Sequence, residues 1–299
     1  MNLEELRSVY LRDAGVKQLS DKLTQGKLFS FVKSIAGSSQ AFILNALFHN
    51  TQKTQLAILN NKEDAIYFFN DIENVSGLKE QVFFFPSSGK IPYQFEETDN
   101  TNILMRAETL NSINKDKRPK IIVTYPDALY EKVITKQNLL KNTLDIEVGK
   151  HYSIDFIDEL MLEYNFEKVD FVYAPGQFAI RGGIVDVFSY SNDNPYRIEF
   201  FDDEVESIRA FDTITQLSKQ KMNRISILPN IQEKKIAENR ESFLVYVPLD
   251  TVVWINSIEL TISQIEKKYI HAFELYEKKN TLIEQIKPDE LFIGGDEFN

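Results

Sequence analysis

Between residues 169 and 228 the sequence packs six short strand-like segments with only brief turns between them, and nothing else in the chain constrains the fold so tightly. The segments are 169–173, 177–181, 184–190, 196–201, 205–211 and 226–228. Gly182-Gly183, a turn at 192–195 and Asp202-Asp203 separate several of them. Parallel neighbours need a crossover of about a dozen residues, whereas antiparallel ones can be joined by a two-residue hairpin. Strands spaced this closely therefore predict an antiparallel meander. A helical pattern at 154–164 precedes it, with Phe156, Ile157, Leu160 and Met161 apolar, so the region reads as an α+β domain.

The residues before the meander follow another rhythm. Strands are expected at 29–33, 56–59, 82–85 and 121–124, alternating with helices at 41–48, 63–72 and 103–113. This alternation predicts an α/β domain with a parallel sheet covered by helices. After Pro229 the pattern gives strands at 243–247 and 252–255 and a long helix at 258–279. A chain of 299 residues lies at the upper edge of what one core supports, so more than one domain is expected. In the simplest arrangement residues 1–142 begin the α/β domain, 143–229 form the inserted meander domain, and 230–299 complete the first.

Composition narrows the function classes. There are no cysteines, which excludes disulfides, thiolate metal sites and cysteine nucleophiles. The start of the chain has neither a basic n-region nor an apolar h-region, so no secretory signal is expected. The longest apolar runs, such as 82–86, fall far short of the ~20 residues of a membrane span. A cytoplasmic protein without a membrane partner is the expectation. The net charge is −11, whereas DNA binding relies on Lys and Arg neutralising phosphates. A protein partner is the better expectation. His49, His151 and His271 lie far apart in sequence and form no metal or triad signature, and the acidic turn Asp202-Asp203-Glu204 lacks calcium-loop spacing. No metal site and no catalytic residues are expected.

The meander carries the specific signal. It reads Gly176-Gln177-Phe178-Ala179-Ile180-Arg181-Gly182-Gly183-Ile184-Val185-Asp186-Val187-Phe188, then Arg197-Ile198-Glu199-Phe200-Phe201-Asp202-Asp203-Glu204-Val205-Glu206-Ser207-Ile208. This resembles the domain shared by the transcription-repair coupling factors (Mfd) and UvrB. A weaker resemblance extends over most of the chain and includes a Phe-Pro-x-x-Gly-x-x-Pro-Tyr stretch from Phe85 to Tyr93. It implies a helicase-like α/β domain interrupted by the inserted one.

The two families differ at the nucleotide site. A UvrB-like ATPase needs G-x-x-x-x-G-K-[ST], whose amides and lysine hold the phosphates. The equivalent stretch here contains Gly37-Ser38-Ser39-Gln40, with no Gly-Lys-Ser/Thr after it. Lys27, Lys90 and Lys150 each follow a glycine but precede Leu, Ile and His. Without the lysine and the magnesium-binding hydroxyl, phosphoryl transfer lacks its electrostatic support. The resemblance therefore points to the inactive N-terminal module of the coupling factors. It implies an adaptor that needs no cofactor and recruits UvrA. The ATP- and Mg-dependent motor, RNA polymerase and double-stranded DNA belong to the full-length family protein, as does intramolecular docking to its C-terminal region. The alternative is a UvrB-like damaged-DNA-binding ATPase, which would also need a long aromatic-rich β-hairpin that the sequence does not show.

In the family the inserted domain contacts UvrA, and the positions matching its contact residues are Arg181, Arg197 and Phe201. Strand alternation places Arg197, Glu199 and Phe201 on one face and Ile198 and Phe200 on the other. An aromatic beside an arginine on a polar face suits an interface anchor. The competing reading packs Phe201 under a loop and pairs the arginines with Glu199 or Asp202. Asp186 and Asp212 are expected to make structural ion pairs with Arg209 or Arg181, and Gly182-Gly183 to serve a bend.

Overall fold

A computed structural model describes residues 2–26, 30–33, 35, 37–89, 92–93, 100–231, 239–278 and 286–299. The chain divides into two compact units, one comprising residues 1–95, 115–132 and 242–299, the other 96–114 and 133–241.

The first unit is built on a four-stranded parallel sheet in the order Val252–Ile255, Gln55–Ile58, Ile121–Thr124, Val82–Phe84. Every residue of the two middle strands is buried. Strands covered on both faces become continuous apolar runs, as Ile121-Ile122-Val123 is. The helix Lys62–Ser76 begins where the Asn61 side chain accepts the Asp64 N–H at 2.8 Å. It ends at Gly77, whose φ of +67° is the left-handed cap geometry that glycine adopts without strain. Two further helices, Leu3–Arg12 and Ala14–Thr24, precede the helix Ser39–Thr51 and pack with it through Val16, Ala46 and Leu47. Trp254 is half-buried against the same cluster, and its indole Nε1 donates to Gln55 Oε1 at 2.7 Å.

Two expected strands are absent from this unit. Residues 30–33 form no strand, and Phe29, the first residue of that expected segment, lies outside the described residues. Residues 243–247 contain the short helix Phe243–Tyr246 instead of a strand. The Ser242 hydroxyl accepts the Leu244 N–H at 3.3 Å, and Phe243 stacks on Phe85 with ring centroids 4.0 Å apart. A run of four or five apolar residues satisfies either period, and here the serine cap and burial three residues apart select the helix.

The second unit holds a six-stranded sheet whose spatial order follows the chain. Its strands are β1 (Glu167–Lys168), β2 (Gln177–Arg181), β3 (Ile184–Val187), β4 (Tyr196–Phe201), β5 (Glu204–Phe211) and β6 (Ser218–Met222). The β1–β2 pair is parallel and the others are antiparallel. The inner face presents Phe178, Val185, Val187, Tyr196, Ile198, Phe200, Val205 and Ile208. They pack on Ile157 and Met161 of the helix Ile154–Glu163 and on Ile146, Ile225 and Ile227 of the ribbon that pairs Leu144–Glu147 with Arg224–Ile227. A register shift between Val205 and Ser207 makes Glu206 the extra residue of a bulge, so Val205 points inward and Ser207 pairs opposite Glu199.

The expected strand at 169–173 is corrected. The ladder stops once Val169 N–H has bonded to Phe178 O, at 2.9 Å. The segment then crosses the outer face, where Val172 closes a small cluster with Ala179, Phe188 and Phe211. β6, by contrast, is a strand that periodicity does not show. Its Ser-Lys-Gln-Lys-Met sequence is an exposed edge, and lysines on such an edge discourage further strand pairing.

Candidate protein-binding face

Alternation along β2 to β5 brings one set of side chains to the outer face: Arg181, Asp186, Arg197, Glu199, Phe201, Ser207 and Arg209. The burial of β4 follows this alternation, with Tyr196, Ile198 and Phe200 buried, Arg197 and Glu199 half-buried, and Phe201 exposed. The turn between β2 and β3 requires its glycines. Gly182 has φ +59°, and a Cβ on Gly183 would lie 2.8 Å from the Phe200 carbonyl oxygen. The Phe200 N–H instead reaches Gly183 O at 2.7 Å, which fixes the register that aligns the face.

Asp186 stands at the centre of this face. Its side chain is 1% exposed, and it is opposite Arg197 in the β3–β4 ladder. Arg197 donates Nε to Asp186 Oδ1 at 2.7 Å and Nη2 to Oδ2 at 2.8 Å, the bidentate fork that suits guanidinium and carboxylate. Arg181 Nη2 also donates to Oδ2. Each arginine holds a second element as well. Arg181 Nη1 donates to the Asp170 carbonyl at 2.6 Å, with Cζ 5.4 Å from the Phe171 ring centroid. Arg197 Nη2 donates to Gln216 Oε1 at 3.0 Å, with Cζ 4.4 Å over Phe211. The hydrogen bonds to Asp186 hold the Arg197 guanidinium further into its charged range than usual.

Two guanidiniums share one carboxylate, which leaves this cluster with an excess of one positive charge. The neighbouring Glu199 is neutralised by Arg209. Phe201 is 72% exposed and therefore lies outside any loop packing. Phe171 and Tyr173 are exposed on the crossing segment, and Ile214 and Leu217 on the turn after β5. The surface thus combines cationic forks with uncovered aromatic and aliphatic side chains, a combination suited to a protein partner that presents carboxylates.

The structure places all three residues singled out from the sequence, Arg181, Arg197 and Phe201, on this one face. Asp186 does pair with Arg181, as expected, and it also takes Arg197, whose expected partners were Glu199 or Asp202; Glu199 pairs with Arg209 instead, and Asp212 with Lys219. Elsewhere, Gly37 has φ +55° and the helix Ser39–Thr51 starts after Ser38, which makes no side-chain cap bond. Gln40 lies in the first turn of that helix, and its N–H reaches Gly37 O at 3.4 Å. Among the described residues no three His, Asp or Glu side chains cluster as metal ligands, and no helix is long and apolar enough to cross a membrane.

Comparison with known families concerns the meander first. Residues 144–232 match the UvrB interaction domain. The match covers the helix, the ribbon and every strand of the sheet that bears the face. Over most of its length the chain is also similar to transcription-repair-coupling factors. The one from Bacillus subtilis is 28% identical over 215 residues, 71% of this chain and 18% of the relative. The one from Borreliella burgdorferi is 25% identical over 292 residues, 96% of this chain and 24% of the relative. UvrABC system protein B of Caldicellulosiruptor bescii is 24% identical over 226 residues, 72% of this chain and 34% of that protein. The chain thus spans about a fifth of the length of the curated coupling factors it matches.

Proposed function

We propose that this chain is the N-terminal module of a transcription-repair coupling factor and acts as a non-catalytic adaptor. In this reading the outer face of its UvrB interaction domain binds UvrA and brings it to lesions where RNA polymerase has stalled. The observation that carries the proposal is the placement of Arg181, Arg197 and Phe201 together on one accessible sheet face, with Phe201 72% exposed. The acidic balance of the chain, −11 overall, supports a protein partner over nucleic acid. RNA polymerase, double-stranded DNA and an ATP-dependent motor belong, in this proposal, to the rest of a longer protein. We assign residues 1–142 and 230–299 to the α/β domain and 143–229 to the docking domain.

The adaptor gains nothing chemically from binding. It raises the local concentration of its partner, and the rate gain follows from that concentration. The similarity to UvrABC system protein B favours a second reading, a DNA-binding ATPase. The absence of a lysine followed by Ser or Thr after Gly37-Ser38-Ser39-Gln40 argues against it, because that lysine and hydroxyl bind the phosphates and magnesium. Calorimetric titration of the chain with UvrA tests the adaptor reading. Saturable binding that Arg181→Ala/Phe201→Ala removes, at unchanged circular dichroism, is the expected result. No binding by the unaltered chain overturns it.

A further inference from the structure

Asp186 is buried at 1% exposure and so cannot itself touch a docked protein, yet it meets both arginines of the face. Its Oδ1 accepts from Arg197 Nε, and its Oδ2 accepts from both Arg197 Nη2 and Arg181 Nη2. The same arginines grip the segments that frame the face, Arg181 at Asp170 and Phe171, and Arg197 at Phe211 and Gln216. Those segments carry the exposed Phe171, Tyr173, Ile214 and Leu217.

Building on the proposed function, we propose that Asp186 is the positioning residue of the docking face. It holds the Arg181 and Arg197 guanidiniums, and through them the two framing segments, in the arrangement that an acidic partner surface meets. The donor count supports this. A guanidinium has five N–H donors; Arg181 makes two hydrogen bonds and Arg197 three. The remaining donors stay available for a partner's carboxylates while the side chains themselves are fixed. An arginine side chain fixed before docking loses less rotamer freedom on binding, and affinity rises accordingly. The carboxylate is specifically required. An asparagine at 186 accepts through one oxygen only and turns an NH2 donor toward guanidinium donors. Both arginines are partly exposed, at 39% and 20% of their side chains, so water can solvate them once released.

Asp186→Asn is therefore expected to weaken UvrA binding about tenfold or more while the domain stays folded. Double-mutant cycles separate positioning from a general structural role. Positioning predicts that Asp186→Asn and Arg197→Ala are strongly non-additive, whereas Asp186→Asn and Phe201→Ala add. Equal coupling to both, or wild-type affinity in Asp186→Asn, overturns the proposal. Hydrogen exchange at Arg197 Nε–H gives a readout that needs no partner. It is slow in the wild type and fast in Asp186→Asn if the carboxylate holds the guanidinium; unchanged exchange refutes it. Should the unaltered chain fail to bind UvrA, the partner assignment falls while this exchange measurement still decides the role of Asp186. Asp186→Ser, which leaves room for water, serves where the amide variant does not fold.

Discussion

Phe201→Ala separates binding from folding. A phenylalanine presents roughly 200 Å² of surface, and with 72% of it exposed about 140 Å² is left for a partner to cover. At about 25 cal/mol per Å² full coverage is worth about 3.5 kcal/mol, or roughly 300-fold in affinity. Interface anchors of this type commonly cost about 2 kcal/mol or more on truncation, so a loss between about 30-fold and 300-fold is expected. The folded domain should hardly notice, because an exposed side chain away from caps and networks changes stability by about 0.5 kcal/mol at most. Calorimetric titration with UvrA gives the first quantity and urea unfolding the second. A urea midpoint that falls by more than the equivalent of about 1 kcal/mol, with affinity unchanged, would refute the reasoning. It would mean that Phe201 supports the fold and takes no part in docking.

Phe178, fully buried in the core beneath the sheet, gives the opposite result. Phe178→Ala should cost about 3–5 kcal/mol, seen as a large drop in the urea midpoint of this unit. Equilibrium dialysis with magnesium and ATP should show no saturable nucleotide binding, and measurable affinity would revive the ATPase reading. Asp212 accepts the Thr215 N–H, pairs with Lys219, and further accepts the Thr215 hydroxyl and the Ile214 N–H, and these hold its carboxyl well below the ordinary value of 3.8. Because its folded value is the lower one, the stabilisation is complete above the ordinary value and is lost as pH falls toward the folded one. A carboxyl-carbon titration should find Asp212 ionised to lower pH than an ordinary aspartate, and Asp212→Asn should leave unfolding less sensitive to acid.

Two strands were legible to the residue. Tyr196–Phe201 begins and ends as the pattern predicts, because one face meets a core and the other water, and Gln177–Arg181 keeps its predicted bounds although Ala179 is buried on the outer face. Where that asymmetry fails, periodicity misleads. Residues 169–173 are rich in Val, Phe and Tyr, which favour strands, but the segment turns toward the outer face after a single ladder bond, with Val172 buried and Phe171 and Tyr173 exposed. The edge strand Ser218–Met222 has no apolar side to reveal it. At Phe243–Tyr246 the run is too short to distinguish one period from the other. The helices Leu3–Arg12 and Ala14–Thr24 also lay outside the sequence reading. A capping box formed by Asn2 and Glu5 starts the first, and Asn-x-x-Glu at the very start of the chain was the signal that could have found it.

The candidate face was legible in part, for the same physical reason. Alternation alone sets Arg197 and Phe201 on the outward side of one strand. Which carboxylate answers Arg197 depends on the pairing of neighbouring strands, a relation between Asp186 and Arg197 that no local pattern contains. The sequence offered Glu199 and Asp202 as nearer candidates, and the ladder register chose the residue eleven positions away. Burial decided the rest, since an aspartate reads as a surface residue until its neighbours enclose it.

Hydroxyl-radical footprinting of the chain with and without UvrA tests the central claim most directly, because it reports side by side on every exposed aromatic. Phe201, Phe171 and Tyr173 should become protected in the complex. Phe156, exposed on the helix that covers the inner face, and Tyr67, exposed in the other unit, should react as before. Protection of Phe156 or Tyr67 with Phe201 still fully reactive would contradict the account and place the partner on another surface.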